Sequence, residues 1–150
     1  EIPPNTGNIM RQCANTGCSL ALIHPLGFQM DAKKLKRAGM DYRDLAVVHE
    51  YEHYAEFLAS LENNSNPAPK IYALTTKANT IYSEACFEEG DVFLFGPETR
   101  GLPADILDSL PEEQKLRVPM MPDSRSINLA NTVAIVAYEA FRQQGFHTLY

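Results

Sequence analysis

Long apolar runs are missing from this chain of 150 residues: no stretch of 18 consecutive apolar residues occurs, and nothing in it resembles a leader peptide or a lipid-attachment motif. That excludes a helical membrane span and predicts a soluble, cytoplasmic protein. Cysteine is scarce and odd in number. Cys13, Cys18 and Cys86 are too few for a disulfide framework and read as free thiols of a reducing compartment. A basic balance is missing too: the net charge of −6 argues against a protein that coats nucleic acid without specificity, although it leaves room for a local basic patch. The chain opens at Glu1-Ile-Pro-Pro without an initiator Met, so the natural protein is expected to begin earlier. A leading strand would be missing here, and the sheet without it would expose an unpaired edge.

Several catalytic signatures are absent or incomplete. There is no G-x-G-x-x-G for a dinucleotide and no G-x-S-x-G for a hydrolase nucleophile. The glycines of 96–101 have phosphate-loop spacing, but Leu102-Pro103 stands where the phosphate lysine and magnesium hydroxyl would have to be. His49-Glu50-Tyr51-Glu52-His53 matches the H-E-x-x-H zinc signature, which needs two imidazoles one helical turn apart. It is read as accidental: it falls at the very start of a helix, Glu52 is charged where an apolar anchor is usual, and no third ligand is evident. Cys13 and Cys18 have no second pair to complete a tetrahedral site. No metal is expected.

The informative stretch is 115–144. A strand over 115–118 must leave its sheet at Pro119 and Pro122, which lack amide donors. Asp123, Ser124, Ser126 and Asn128 are helix-capping residues, and no glycine or proline interrupts the chain from there to Gly145. Between Leu129 and Phe141 only Asn131, Thr132 and Glu139 are frankly polar, with Tyr138 amphipathic. A helix so composed is expected to be buried on most sides, in a core or an interface.

The remainder alternates strands with helices. Asn5 to Asn8 read as a turn and cap before a short amphipathic helix carrying Ile9, Met10, Cys13 and Ala14. Strands are predicted over 19–23, 45–48, 71–74 and 92–95, the last buried on both faces, with another short one over 82–86. Asp31 can cap a basic helix that stops at Gly39; a further helix spans 51–61, with Tyr54, Phe57, Leu58 and Leu61 on its apolar face. A short helix over 103–110 has proline at its start. This pattern predicts one α/β domain over 1–150 with a mainly parallel sheet flanked by helices. Such sheets bind ligands beyond the carboxyl ends of their strands. Three strand ends here run into polar or glycine-bearing loops, at Leu74-Thr75-Thr76, at 95–101 and at 118–128.

Three motifs, Asn5-Thr-Gly-Asn8-Ile-Met-Arg11, Leu94-Phe-Gly-Pro-Glu98-Thr-Arg-Gly101-Leu-Pro, and Arg117-Val-Pro-Met-Met-Pro-Asp-Ser-Arg-Ser126-Ile-Asn128-Leu-Ala-Asn131, stand in this order along the chain. In order and spacing they resemble the motifs of the SPOUT-superfamily RNA 2′-O-ribose methyltransferases, most nearly the minimal TrmL type that acts on cytidine or uridine at the tRNA wobble position. The resemblance covers essentially the whole chain. It implies a C-terminal deep trefoil knot, S-adenosylmethionine bound in it and released as S-adenosylhomocysteine, and a homodimer acting on a tRNA anticodon stem-loop.

Residue by residue, the resemblance assigns the adenosine to backbone groups of Leu74, Gly96, Val118 and Met120, with Gly101 allowing close approach, Glu98 orienting the loop and Ser126 beside the cofactor. Ser126 and Asn128 match the polar pair near the reacting centre, and Arg11 matches the catalytic arginine. RNA contacts are expected from Asn5, Asn8 and Arg11, and from the basic run Lys33, Lys34, Lys36 and Arg37 with Arg43. That run taken alone reads as a solvated helix face. The competing reading is a non-catalytic module that binds RNA or a small ligand through a degenerate pocket. Intact Arg11, Ser126 and Asn128 weigh against it.

Overall fold

The computed structural model describes residues 3–27, 46–65 and 67–149. The basic run Lys33, Lys34, Lys36, Arg37 and Arg43, with the helix expected to contain it, lies outside them. The chain divides into two compact units, Glu1–Ala68 and Pro69–Tyr150.

In the first unit, helix α1 covers Pro3–Thr16. It starts before the turn expected over 5–8, because prolines fit a helical first turn, where their missing amides would have no partner anyway. Gly7 is a buried helical residue, tolerated at about 1 kcal/mol. Strand β1, Ser19–Ile23, matches its expected bounds, and β2, Val47–Tyr51, pairs with it in parallel from Ser19↔Val47 to Ile23↔Tyr51. The second strand thus runs beyond the expected 45–48, and helix α2, Tyr54–Asn64, begins and ends later than 51–61. The ladder holds His49, Glu50 and Tyr51 in extended form, and the Tyr51 carbonyl accepts the amide of His24 at 2.9 Å. Met10, only 2% exposed, packs with Leu20, Leu22 and Val48, and Phe57 buries the inner face of α2.

The second unit holds β3 (Ile71–Leu74), β4 (Thr80–Ile81), β5 (Val92–Phe95) and β6 (Lys115–Arg117) in the order β4-β6-β3-β5, all parallel. Every strand pair among the described residues is parallel, as α/β patterning requires. The strand expected over 82–86 is instead a 3₁₀ turn, Tyr82–Glu84, after the two-residue β4. There the Glu84 carboxylate takes the Ile81 amide at 3.1 Å, a local bond that competes with the ladder. Of β5 only Leu94 is buried, the other three residues being partly covered.

Strand β6 lies between β3 and β4, although those two are joined by only five residues, 75–79. Leu74 and Thr80 both stand opposite Leu116. The 75–79 connection therefore crosses the carboxyl end of β6, and the Thr75 amide fastens it there by donating to the Leu116 carbonyl at 2.9 Å.

Helix α3 is short, Ala104–Asp108, behind Pro103. Helix α4, Leu129–Gln143, starts where Asn128 accepts the Asn131 amide at 3.2 Å and gives way to Gly145 in left-handed conformation, φ +68°. Its buried residues, Ala130, Val136 and Ala140, make one stripe, and Tyr138 stays 48% exposed. Along the helix only Asn131, Tyr138 and Arg142 are exposed: within this unit one face is fully covered and the remainder is partly covered. That face joins Tyr72, Leu74, Phe87 and Leu116 in the core. At the far end, Gln143 donates to the Ala85 carbonyl and to Glu139, and accepts the Phe87 amide, all at 2.9 Å.

Candidate active site

Leu116, Leu74 and Phe95 are direct neighbours across β6, β3 and β5. Parallel strands lie about 4.8 Å apart and point the same way. The residues that leave the row, Arg117-Val118, Thr75 and Gly96, therefore share one edge of the sheet. The three predicted backbone contributors Leu74, Gly96 and Val118 are brought together by the register itself. Leu74 is buried, and Val118 packs partly covered against the core.

Past β5 the chain folds back on itself. The Gly101 amide donates to the Pro97 carbonyl at 2.9 Å, and Gly101 adopts φ +70°, a conformation that favours glycine. A β-carbon on Gly96 would lie 2.3 Å from both the Gly101 carbonyl carbon and the Leu102 nitrogen. Glu98 is partly buried inside this loop, whereas Thr99 and Arg100 are exposed.

Past β6 the chain turns at Met121-Pro122-Asp123-Ser124. Asp123 has φ +60°, which Asp tolerates better than most side chains, and both the amide and the hydroxyl of Ser124 donate to the Met121 carbonyl, at 3.3 and 2.6 Å. Met120 and Ser126 are exposed on this segment. Asn128 spends its side-chain oxygen on the cap of α4, which fixes the origin of the helix two residues after Ser126.

Asn5 and Asn8 are placed on α1, not in the turn expected over 5–8, and Arg11 lies on the same helix. At their three-residue spacing they wind around the helix: Asn5 is 5% exposed, Asn8 and Arg11 are exposed. The H-E-x-x-H residues do not occupy one helix. His49 is in β2 and His53 is the extended residue ahead of α2, so their imidazoles lack the one-turn helical relationship the signature needs. Among the described residues no three His, Cys, Asp or Glu side chains gather as a cation site.

Two groups have strongly shifted acidity. Burial, with a smaller contribution from Cys18, pushes the Cys13 thiol up to about 11, so it is no thiolate nucleophile at neutral pH. Hydrogen bonding from Arg142, aided by Gln143, holds the Glu139 carboxyl down at about 2 despite its burial. Arg142 grips it by two bonds of 2.7 and 2.8 Å. This clamp positions the end of α4, and its only mark in the sequence is the i,i+3 spacing of Glu139 and Arg142.

The model of the SpoU rRNA Methylase family matches residues 1–138. A tRNA (cytidine(34)-2′-O)-methyltransferase of Yersinia pestis is 55% identical over 146 residues, covering 97% of this chain and 90% of the relative. The protein of the same name from Escherichia coli K12 is 54% identical with the same coverage. A solved structure described as giving structural insights into the 2-OH methylation of C/U34 on tRNA superposes with a TM-score of 0.87 at 41% identity, over 98% of this chain and 92% of that one. On these matches the chain belongs to the SpoU rRNA methylase family.

Proposed function

We propose that this chain transfers a methyl group from S-adenosylmethionine to the ribose 2′-hydroxyl of the wobble nucleotide, cytidine or uridine 34, of tRNA. The observation that carries the reading is the common edge of β6, β3 and β5, where Leu74, Gly96 and Val118 stand side by side. Relatives more than half identical over nearly the whole chain are named tRNA (cytidine(34)-2′-O)-methyltransferase, and the similar solved structure concerns C/U34.

The edge fits the donor molecule. Gly96 leaves no room for a side chain, so backbone groups set the approach, and Leu74, Val118 and Met120 offer apolar walls suited to an adenine. Backbone groups of these residues would hold the adenosine, with Gly101 and Glu98 shaping the loop and Ser126 beside it. When bound, S-adenosylmethionine supplies an electrophilic methyl group on a sulfonium centre and leaves as S-adenosylhomocysteine. Arg11 cannot serve as a base, because a guanidinium with pKa above about 12 stays protonated. It pairs with the phosphate next to the target ribose and polarises the hydroxyl. Ser126 and Asn128 orient the reacting ribose. Asn5, Asn8 and the basic run from Lys33 to Arg37, with Arg43, complete the RNA contacts.

The reading includes a trefoil knot. Its support is the insertion of β6 beneath the five-residue 75–79 connection, past which the chain must continue to reach α4. It also includes a cytoplasmic homodimer. The exposed Tyr138, Met120 and Met121, the last 79% exposed, support that part, and no helix among the described residues is long and apolar enough to cross a membrane. Titration calorimetry of the purified chain with S-adenosylmethionine tests the reading against a non-catalytic binding module. Saturable binding with one site per chain is expected; no heat of binding would favour the module.

A further inference from the structure

Charge in the second unit is sorted between the two edges of its sheet. At the amino edge stand Glu88, Glu89 and Asp91 before β5, and Glu112 and Glu113 before β6. The two lysines there are already engaged, Lys70 with Glu88 at 3.5 Å and Lys115 with Glu112 at 2.6 Å. At the carboxyl edge Lys77 rides on the 75–79 connection and Arg117 ends β6, while Arg100 and Arg125 follow on the loops after β5 and β6. All four are exposed, and neither Lys77 nor Arg117 forms an ion pair with a described residue. The carboxylates that follow strand ends on this side include Glu84, Glu98, Asp105 and Asp123; the first is bonded to the Ile81 amide and the second is partly buried.

We propose that Lys77 and Arg117, flanked by Arg100 and Arg125, form a phosphate-contacting surface that seats the tRNA backbone across the carboxyl edge of this sheet. The Thr75–Leu116 hydrogen bond brings the two central cations to one strand end. Arg117 is directed outward by strand alternation, since Leu116 before it is fully buried. Cations supplied from three separate strand ends suit a chain of phosphates better than one small anion, and the acidic amino edge repels the same polyanion. The inference rests on the proposed function. It adds a docking surface in the second unit, apart from the RNA contacts assigned to Arg11 and the basic run.

The test is tRNA binding by the intact protein across a series of KCl concentrations, for Lys77→Ala, Arg117→Ala, Arg117→Lys and Lys70→Ala. The slope of log affinity on log salt should fall by about 0.7 to 0.9 for each alanine variant at the carboxyl edge. Arg117→Lys should keep the parent slope, Lys70→Ala at the opposite edge should keep it too, and S-adenosylmethionine affinity should be the same throughout. Parent-like slopes for both Lys77→Ala and Arg117→Ala, in a protein that still methylates tRNA, would overturn the surface and leave the function standing. Absence of any tRNA binding or methylation by the parent would overturn both.

Discussion

Gly96 and Gly101 are in contact so close that a β-carbon on the first would stand 2.3 Å from the carbonyl carbon of the second. The obstacle is backbone, which cannot swing aside as a flexible side chain can. Gly96→Ala should therefore open the 96–101 loop, lower the melting temperature and remove most S-adenosylmethionine affinity. Gly101→Ala meets nothing within 4 Å but must hold φ +70°, at about 1–2 kcal/mol, so its effect should be milder. Calorimetry and melting of both proteins check this; a Gly96→Ala variant that binds the donor like the parent would contradict it.

The Gln143 clamp should be worth more than a surface contact. Gln143→Leu leaves the Phe87 amide and the Ala85 carbonyl without their partner, a loss of about 1–3 kcal/mol for a buried group. Denaturant unfolding should show that loss, with α4 loosened at its carboxyl end. An unchanged midpoint would refute it.

Glu139 gives the clamp a pH signature. Its carboxyl sits at about 2 in the folded chain, below the ordinary value of 4.5, so the folded state favours the ionised form. The stabilisation is complete above about pH 4.5 and is lost as pH falls towards 2. Glu139→Gln should flatten stability across that acid window and change it little in shape above pH 6. Parallel acid limbs for parent and variant would show that Glu139 is not the group responsible.

How much of this could be read from the sequence varies with the range of the forces involved. The bounds of β1, β3 and β5 follow from short apolar runs, and α4 is announced by Asn128 as cap and Gly145 as stop. Pro3 and Pro4 conceal the start of α1, since they read as breakers yet suit a first turn. The ladder with β1 draws His49 to Tyr51 out of the helix their spacing suggests, which only a distant partner could reveal. The 75–79 crossing over β6 is a contact between residues about forty apart in sequence, and no local pattern encodes it. The loops after β3, β5 and β6 are legible as polar or glycine-bearing strand ends, while the sorting of charge between the sheet edges depends on that non-local strand order.

Tyr138 and Val136 separate association from folding. Val136 is wholly buried, so Val136→Asp should cost several kcal/mol and impair folding. Tyr138 is 48% exposed on the same helix, so Tyr138→Glu should leave each chain folded and shift sedimentation from dimer towards monomer. A Tyr138→Glu variant that sediments like the parent would count against a dimer formed through this helix.

Arg11 is assigned to the RNA and not to the adenosine. Arg11→Ala should abolish methyl transfer with S-adenosylmethionine affinity nearly unchanged, and Arg11→Lys should rescue poorly, because a point charge cannot reproduce the planar fork. Near-parental turnover by Arg11→Ala would end that assignment.

The most direct test of the central claim is position-resolved nucleoside mass spectrometry of unmodified tRNA incubated with the purified chain and S-adenosylmethionine carrying a labelled methyl group. The account predicts label on the ribose 2′-oxygen of cytidine or uridine 34, and none when that ribose is replaced by its 2′-deoxy form. Label on a base, label on another nucleotide, or no label with a protein that binds the donor would contradict it.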